Sequence, residues 1–286
     1  MLTPIVTEQA DLGVGARALY PLKAVHTRLR SLTWLTGGGH APAEPGFRIL
    51  FYHRVAADRD ELAVPPRRFR EQMEALAAQG YRGVDVATAV DAAPGAVGLA
   101  FDDGYLDVAE HALPVLEELG FTATVFVATG VTDGRVPLWW YAAQPPLMSW
   151  DDVRRLDGGV LRFEAHTITH PNLLAVGEAR AREEIAGSKR ELEERLGRPV
   201  SAFCYPAGLY RPRDVRLVSE AGFRIGCTCE PGLNTATTSP LRLHRIQVDA
   251  RDSVLDFRAK LGGGFDRPSR LRAGWRRARY GAISRS

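Results

Sequence analysis

From residue 47 onward, short apolar runs alternate with stretches whose apolar residues recur every three or four positions. An unbroken apolar run suits a strand buried on both faces, whereas a period near 3.6 suits a helix with one face turned to a core. Strands are therefore expected at 47–52, 97–101, 123–128, 161–164, 201–205, 223–228 and 244–248. Helices are expected near 67–79, 106–119, 150–156, 178–196 and 211–221. Gly80, Gly120, Gly197 and Gly222 follow helical stretches, where a residue free to adopt positive φ closes the last turn. The alternation predicts successive βα units and a parallel sheet or barrel of the α/β class.

Residues 1–45 read as an accessory segment ending in the Gly/Pro-rich stretch Gly37-Gly-Gly-His-Ala-Pro-Ala-Glu-Pro-Gly46. Within it Leu19, Leu22, Val25, His26, Leu29, Leu32 and Trp34 recur at nearly helical spacing, with Lys23, Arg28 and Arg30 between them. Such a basic amphipathic helix suits either packing against the main domain or lying on a membrane surface. The main domain spans 46–262, and residues 263–286 form a basic tail.

Charge sharpens this picture more than composition does. The 286 residues carry a net charge of +3, yet the stretch from Arg267 to Arg285 holds many arginines and no acid. That tail favours anionic surfaces, either a phospholipid or a lipid-linked pyrophosphate; with no nucleic-acid-binding fold in view, nucleic acid ranks last. Cys204, Cys227 and Cys229 are odd in number and form no Cys-x-x-Cys pair, so neither a disulfide framework nor a cysteine zinc site is expected. Without a basic start followed by an apolar run, the chain reads as cytoplasmic, with peripheral membrane contact through its basic ends.

Two motifs carry chemistry. In Val97-Gly-Leu-Ala-Phe101-Asp102-Asp103-Gly104, adjacent carboxylates stand where an apolar strand ends, the edge at which α/β folds bind ligands. One carboxylate there can hold a metal while the other moves protons; a solvated Asp-Gly turn is the plainer alternative. In Glu164-Ala-His166-Thr-Ile-Thr-His170-Pro171, two imidazoles lie four residues apart, a spacing that brings both to one side of a helical turn. Two histidines and one carboxylate make a three-ligand site with a position left open for water.

With these motifs in order, the chain resembles the polysaccharide deacetylase family, carbohydrate esterase family four, which shares the nodulation-factor deacetylase homology domain. Phe101-Asp-Asp-Gly104 resembles the family's first motif, His166-Thr-Ile-Thr-His170 its second and Ser201-Ala-Phe-Cys-Tyr-Pro-Ala-Gly208 its third, and the match spans roughly residues 47 to 262. The resemblance implies a distorted (β/α) barrel and hydrolysis of a carbon–nitrogen bond other than a peptide bond: the N-acetyl amide of an amino sugar in a polysaccharide, oligosaccharide or glycan precursor. It implies that Asp103, His166 and His170 bind a divalent metal, zinc first, with cobalt or nickel as alternatives. Asp102 would be the general base, and the segment Tyr205, Pro206 and Ala207 would bind substrate, the Ala207 N–H facing the oxyanion.

Three departures qualify the resemblance. Ala100 stands where many relatives have threonine, and Cys204 where some have an arginine that orients the base. No Asp-to-Trp fourth motif is present. In Leu241-Arg-Leu243-His244-Arg245-Ile246, the late candidate for the fifth motif, His244 is either the general acid or a packed or surface histidine. His53, in Ile49-Leu-Phe-Tyr-His-Arg54, resembles an opening found in one branch and is expected at the active-site mouth; Trp139, Trp140, Tyr141 and Trp150 either stack on sugar or pack under a loop. Glu183, Glu184, Glu191, Glu193 and Glu194 read as the solvated face of one helix. Two rival readings keep the fold: a catalytically silent carbohydrate-binding protein, and a deacylase or deformylase of a lipid-linked sugar or small metabolite.

Overall fold

A computed structural model describes residues 14–37, 45–91 and 95–266, with side chains from Val25 onward among the helical N-terminal residues. The side chains of Leu19, Leu22 and Lys23, and the arginine tail from residue 267, lie outside the described residues.

The apolar runs form strands β1 (Arg48–Tyr52), β4 (Arg82–Val84), β5 (Ala96–Asp102), β6 (Ala123–Val127), β7 (Leu161–Ala165), β8 (Ala202–Cys204), β9 (Ile225–Cys227) and β10 (Ile246–Gln247). They join one parallel sheet in the order β10-β1-β5-β6-β7-β8-β9, with β4 also paired to β5. Every residue of β1, β5 and β6 is buried, the mark of a sheet covered on both faces. A short pair, β2 (Arg54–Val55) and β3 (Ala63–Val64), stands apart from the sheet.

The ends of the sheet meet through one segment. Leu243 bridges to Cys227 at the β9 edge, and three residues later Ile246 pairs with Leu50 of β1. Residues 243–247 thus lean on both edges and curl the sheet into the distorted barrel that the sequence predicts.

Around it pack α2 (Pro66–Ala78), α3 (Val86–Asp91), α4 (Leu113–Leu119), α5 (Thr129–Thr132), α6 (Trp150–Leu156), α7 (Glu178–Leu196), α8 (Pro212–Glu220) and α9 (Val254–Leu261). Helix α2 buries Phe69, Gln72, Met73 and Leu76, the three-and-four spacing of a single apolar face. Gly120 and Gly197 end α4 and α7 at φ of 64° and 65°, as their positions predicted. The helix expected over 106–119 forms throughout, with a π-helical stretch at Val108–Ala112 ahead of α4. The short elements β4, α3 and α9 escaped the sequence reading because three to eight residues are too few to display a period.

The accessory helix α1 (Val14–Thr36) packs against α9. Ser31 donates to Asp256 Oδ1 at 2.7 Å, Arg28 pairs with Asp256 at 3.0 Å, and Trp34 covers Gly262 and Gly264. A Cβ on Gly262 would come within 2.2 Å of the Trp34 ring, so only glycine admits this contact.

Candidate active site

The carboxyl ends of β5, β7 and β8 converge, and each brings a polar residue. Asp102 is the last residue of β5; Asp103 and Gly104 then turn the chain at φ of 74° and 77°. A Cβ on Gly104 would stand 2.8 Å from Val127 Cγ1, which together with the positive φ explains the glycine. This sharp turn aims the two neighbouring carboxylates at different partners, and both are buried.

Asp103 faces the histidines. His166 Nε2 and His170 Nε2 each lie 3.7 Å from Asp103 Oδ1. That is too long for a hydrogen bond, yet one ligand atom from each of the three residues falls within 4.8 Å of the others. Neither oxygen of Asp103 meets a hydrogen-bond partner among the described residues, although the Tyr105 hydroxyl is near enough to favour its charged form slightly. Burial first, and the Asp102 charge second, push the Asp103 carboxyl well above the usual carboxylate range. A buried carboxylate left without a partner is costly, and a cation among these three side chains removes that cost.

The imidazoles suit the same role. Burial lowers the pKa of His166, and burial followed by His166 lowers that of His170 well below the ordinary value, so both rings are neutral near pH 7. His166 Nδ1 lies 2.7 Å from the Cys204 carbonyl oxygen; donation there leaves the Nε2 lone pair facing Asp103. The donor set therefore fits a divalent cation of the zinc type.

The two histidines do not lie on a helical turn, as their spacing suggested. Residues 166–170 form an irregular loop with positive φ at Thr167 (69°) and His170 (52°). Two clamps hold it. Thr129 and Gly130 donate backbone N–H groups to the Thr167 and Ile168 carbonyls at 3.1 and 2.8 Å. On the other side Glu184, expected on a solvated helix face, is buried and accepts from Ile168 N at 2.9 Å, Thr169 N at 2.8 Å and Thr169 Oγ1 at 2.6 Å. Helical periodicity places Glu184 one turn from the buried Ala181 and Ser188, but a run of charges hid it.

Asp102 faces a different partner. Arg245, fully buried, donates Nη1 to Asp102 Oδ1 at 2.7 Å and Nη2 to Oδ2 at 2.8 Å. Burial alone would raise the Asp102 pKa; the adjacent guanidinium outweighs it and takes the group down to about 2. Arg245 Nη2 also lies 2.9 Å from Cys204 Sγ, so the cysteine at the position of an expected arginine lines the guanidinium that pairs with Asp102. Spacing alone does not distinguish Arg245 from its neighbour His244.

His244 is turned elsewhere. Successive side chains on an extended segment point to opposite sides, so the placement of Arg245 inside the barrel sends His244 outward. Its ring lies over Gly232, and its backbone N–H donates to Asn234 Oδ1 at 2.8 Å. His53, by contrast, interacts electrostatically with Asp102, Arg245 and His166; burial, opposed by Asp102, brings its pKa down to about 4.

Trp140 stands at the mouth, its ring centroid 4.8 Å from that of His170, and Trp139 and Tyr141 adjoin it. Trp150 does not join this group: it packs in the main core, donates to Asp133 and carries Arg195 over its ring. The Tyr205 side chain points away, its hydroxyl donating to the Leu241 carbonyl at 3.0 Å. Pro206 and Ala207 continue into a tight turn in which Ala207 has φ of 53°, three residues beyond the carbonyl that receives His166.

Comparison with known proteins agrees with this fold. A polysaccharide deacetylase family model matches residues 89–226. A putative polysaccharide deacetylase, YxkH of Bacillus subtilis strain 168, is 27% identical over 207 residues, covering 70% of each chain. Among solved structures, IcaB from Ammonifex degensii superposes with a TM-score of 0.65 at 26% identity, over 78% of this chain and 99% of that one. The Streptococcus pyogenes deacetylase PplD, in complex with acetate, has a TM-score of 0.67 at 23% identity, over 77% of this chain and 99% of its own, a likeness of fold.

Proposed function

Since a polysaccharide deacetylase model matches residues 89–226 and the fold follows that of solved deacetylases, we propose that the chain belongs to that family and hydrolyses the N-acetyl amide of an amino sugar within a polysaccharide, oligosaccharide or glycan precursor. The observation that carries this reading is the division of labour between adjacent carboxylates: Asp103 unsatisfied beside two neutral imidazoles, Asp102 held ionised by Arg245.

Asp103, His166 and His170 would hold a divalent cation, zinc first. Such an ion supplies Lewis acidity, polarising an acyl carbonyl and lowering the pKa of water towards about 7. Asp102 remains anionic through the physiological range, and its carboxylate takes the proton from the attacking water. The bidentate pair with Arg245 fixes that carboxylate in one orientation, so no reorganisation is needed during reaction. The Ala207 N–H is assigned to the oxyanion.

An amide nitrogen leaves only after gaining a proton. His53 replaces His244 as the residue assigned to deliver it: neutral at the outset, its imidazole receives the proton that Asp102 takes from the water and passes it to the departing nitrogen. Trp140 offers an aromatic wall for the sugar or its acetyl group.

The test is release of acetate from N-acetylglucosamine oligomers by the purified chain, with metal analysis of the same sample. Turnover that stops on chelation and returns with zinc is the expected result. Stoichiometric glycan binding without acetate release would favour the silent carbohydrate-binding reading instead.

A further inference from the structure

Among the described residues, the exposed large hydrophobic side chains all belong to one helix. Val25 and Leu29 are 56% and 58% exposed, and Leu32 and Leu35 are each 44% exposed. At 3.6 residues per turn these four positions fall within an arc of about 120°. Thr27, Ser31 and Trp34, on the opposite side of α1, pack against α9 and the residues that follow it. The helix is thus docked by one face and presents an apolar stripe on the other.

The cations described on α1 are already engaged in docking. Arg28 pairs with Asp256, while Arg30 donates to the Gly264 carbonyl at 3.0 Å and stacks over Phe265. Those contacts bring the end of the described chain beside the helix: Asp266, two residues beyond Gly264, is fixed by Arg48 at 2.6 Å. From there the sequence continues with Arg267, Arg270, Arg272, Arg276, Arg277, Arg279 and Arg285 and no acid, against a net charge of only +3 for the whole chain. An apolar stripe and a strongly cationic segment therefore start from one place on the molecule.

We propose that this place is a docking surface for an anionic lipid bilayer, the α1 stripe entering the interface and the arginines meeting lipid phosphates. Apolar insertion or a polybasic segment alone binds weakly and reversibly, and the two together give stable peripheral attachment. No described helix is long and apolar enough to cross a membrane. The inference is independent of the chemistry assigned to the barrel.

Vesicle co-sedimentation of the full chain tests it. Vesicles of phosphatidylcholine containing about a third phosphatidylglycerol should bind at least about tenfold more tightly than phosphatidylcholine alone. The double substitution Leu29→Ser and Leu32→Ser should reduce binding about tenfold or more, and so, separately, should Arg276→Gln, Arg277→Gln and Arg279→Gln together. An unchanged circular-dichroism spectrum and melting temperature control for folding. Absence of binding to anionic vesicles overturns the proposal, as does binding that survives the leucine substitutions. A dimer in sedimentation velocity that those substitutions dissolve, with no vesicle binding, would assign the stripe to a second copy and overturn it equally.

Discussion

Arg245 and Asp102, 143 residues apart in sequence, form a two-pronged ion pair inside the barrel, at 2.7 and 2.8 Å. The segment that closes the sheet therefore also orients the carboxylate assigned as base. Substituting Arg245→Lys keeps the charge but loses the planar fork. It should lower kcat by roughly 10–100-fold while leaving bound metal intact. The acidic limb of the pH–rate profile should move to higher pH, because a less well paired Asp102 protonates more readily. Arg245→Met should instead destabilise the fold by about 3–5 kcal/mol, since it strands a buried carboxylate. Steady-state kinetics and urea unfolding separate the two outcomes.

The two carboxylates should fail differently. Asp102→Asn is expected to retain metal and lose activity by a factor on the order of 10² to 10⁴, the usual contribution of a general base. Asp103→Asn, His166→Ala and His170→Ala should lose metal as well. Metal content by elemental analysis, beside acetate release, distinguishes them; an Asp102→Asn protein of full activity would refute the assigned base.

His53 gives the metal-free protein a pH-dependent stability. Its folded pKa of about 4 lies below the ordinary 6.5, so the unfolded chain binds the proton more readily. Stability from this residue is complete above about pH 6.5 and declines as pH falls towards 4. Asp102, held at about 2 against the ordinary 3.8, adds a second loss at lower pH, below about 4. Urea midpoints measured in chelator should fall across the upper window for the parent chain, and His53→Gln should flatten that part of the curve. An unchanged slope would contradict a neutral imidazole at this position.

Glu184 supports the loop that carries the proposed metal ligands without facing them. Its carboxylate accepts three hydrogen bonds from Ile168 and Thr169 and also pairs with Arg180. Glu184→Ala leaves the two backbone N–H groups unsatisfied, at about 1–3 kcal/mol each when they stay buried. The loop between His166 and His170 should loosen, weakening metal affinity by roughly 10–100-fold. Competition with a zinc chelator reads the affinity, and thermal unfolding reads the stability.

What the sequence by itself determined was everything local. Continuous apolar runs and glycine stops specified a parallel α/β sheet with its helices, because burial on both faces and helix closure depend on neighbouring residues. Asp102, Asp103, His166 and His170 were readable because each pair sits in one short motif at a strand end. The tertiary structure decided what depends on contacts distant in sequence. Arg245 could not be separated from His244 until closure of the barrel showed which of two adjacent side chains points inward. Glu184 looked like one more surface charge until the loop carrying the histidines was seen resting on it. His53 became a neighbour of Asp102 only because β1 pairs beside β5. A linear chain displays spacing along one element, but which face of that element meets another is set by pairing and packing, and there the groups that orient and charge this site are chosen.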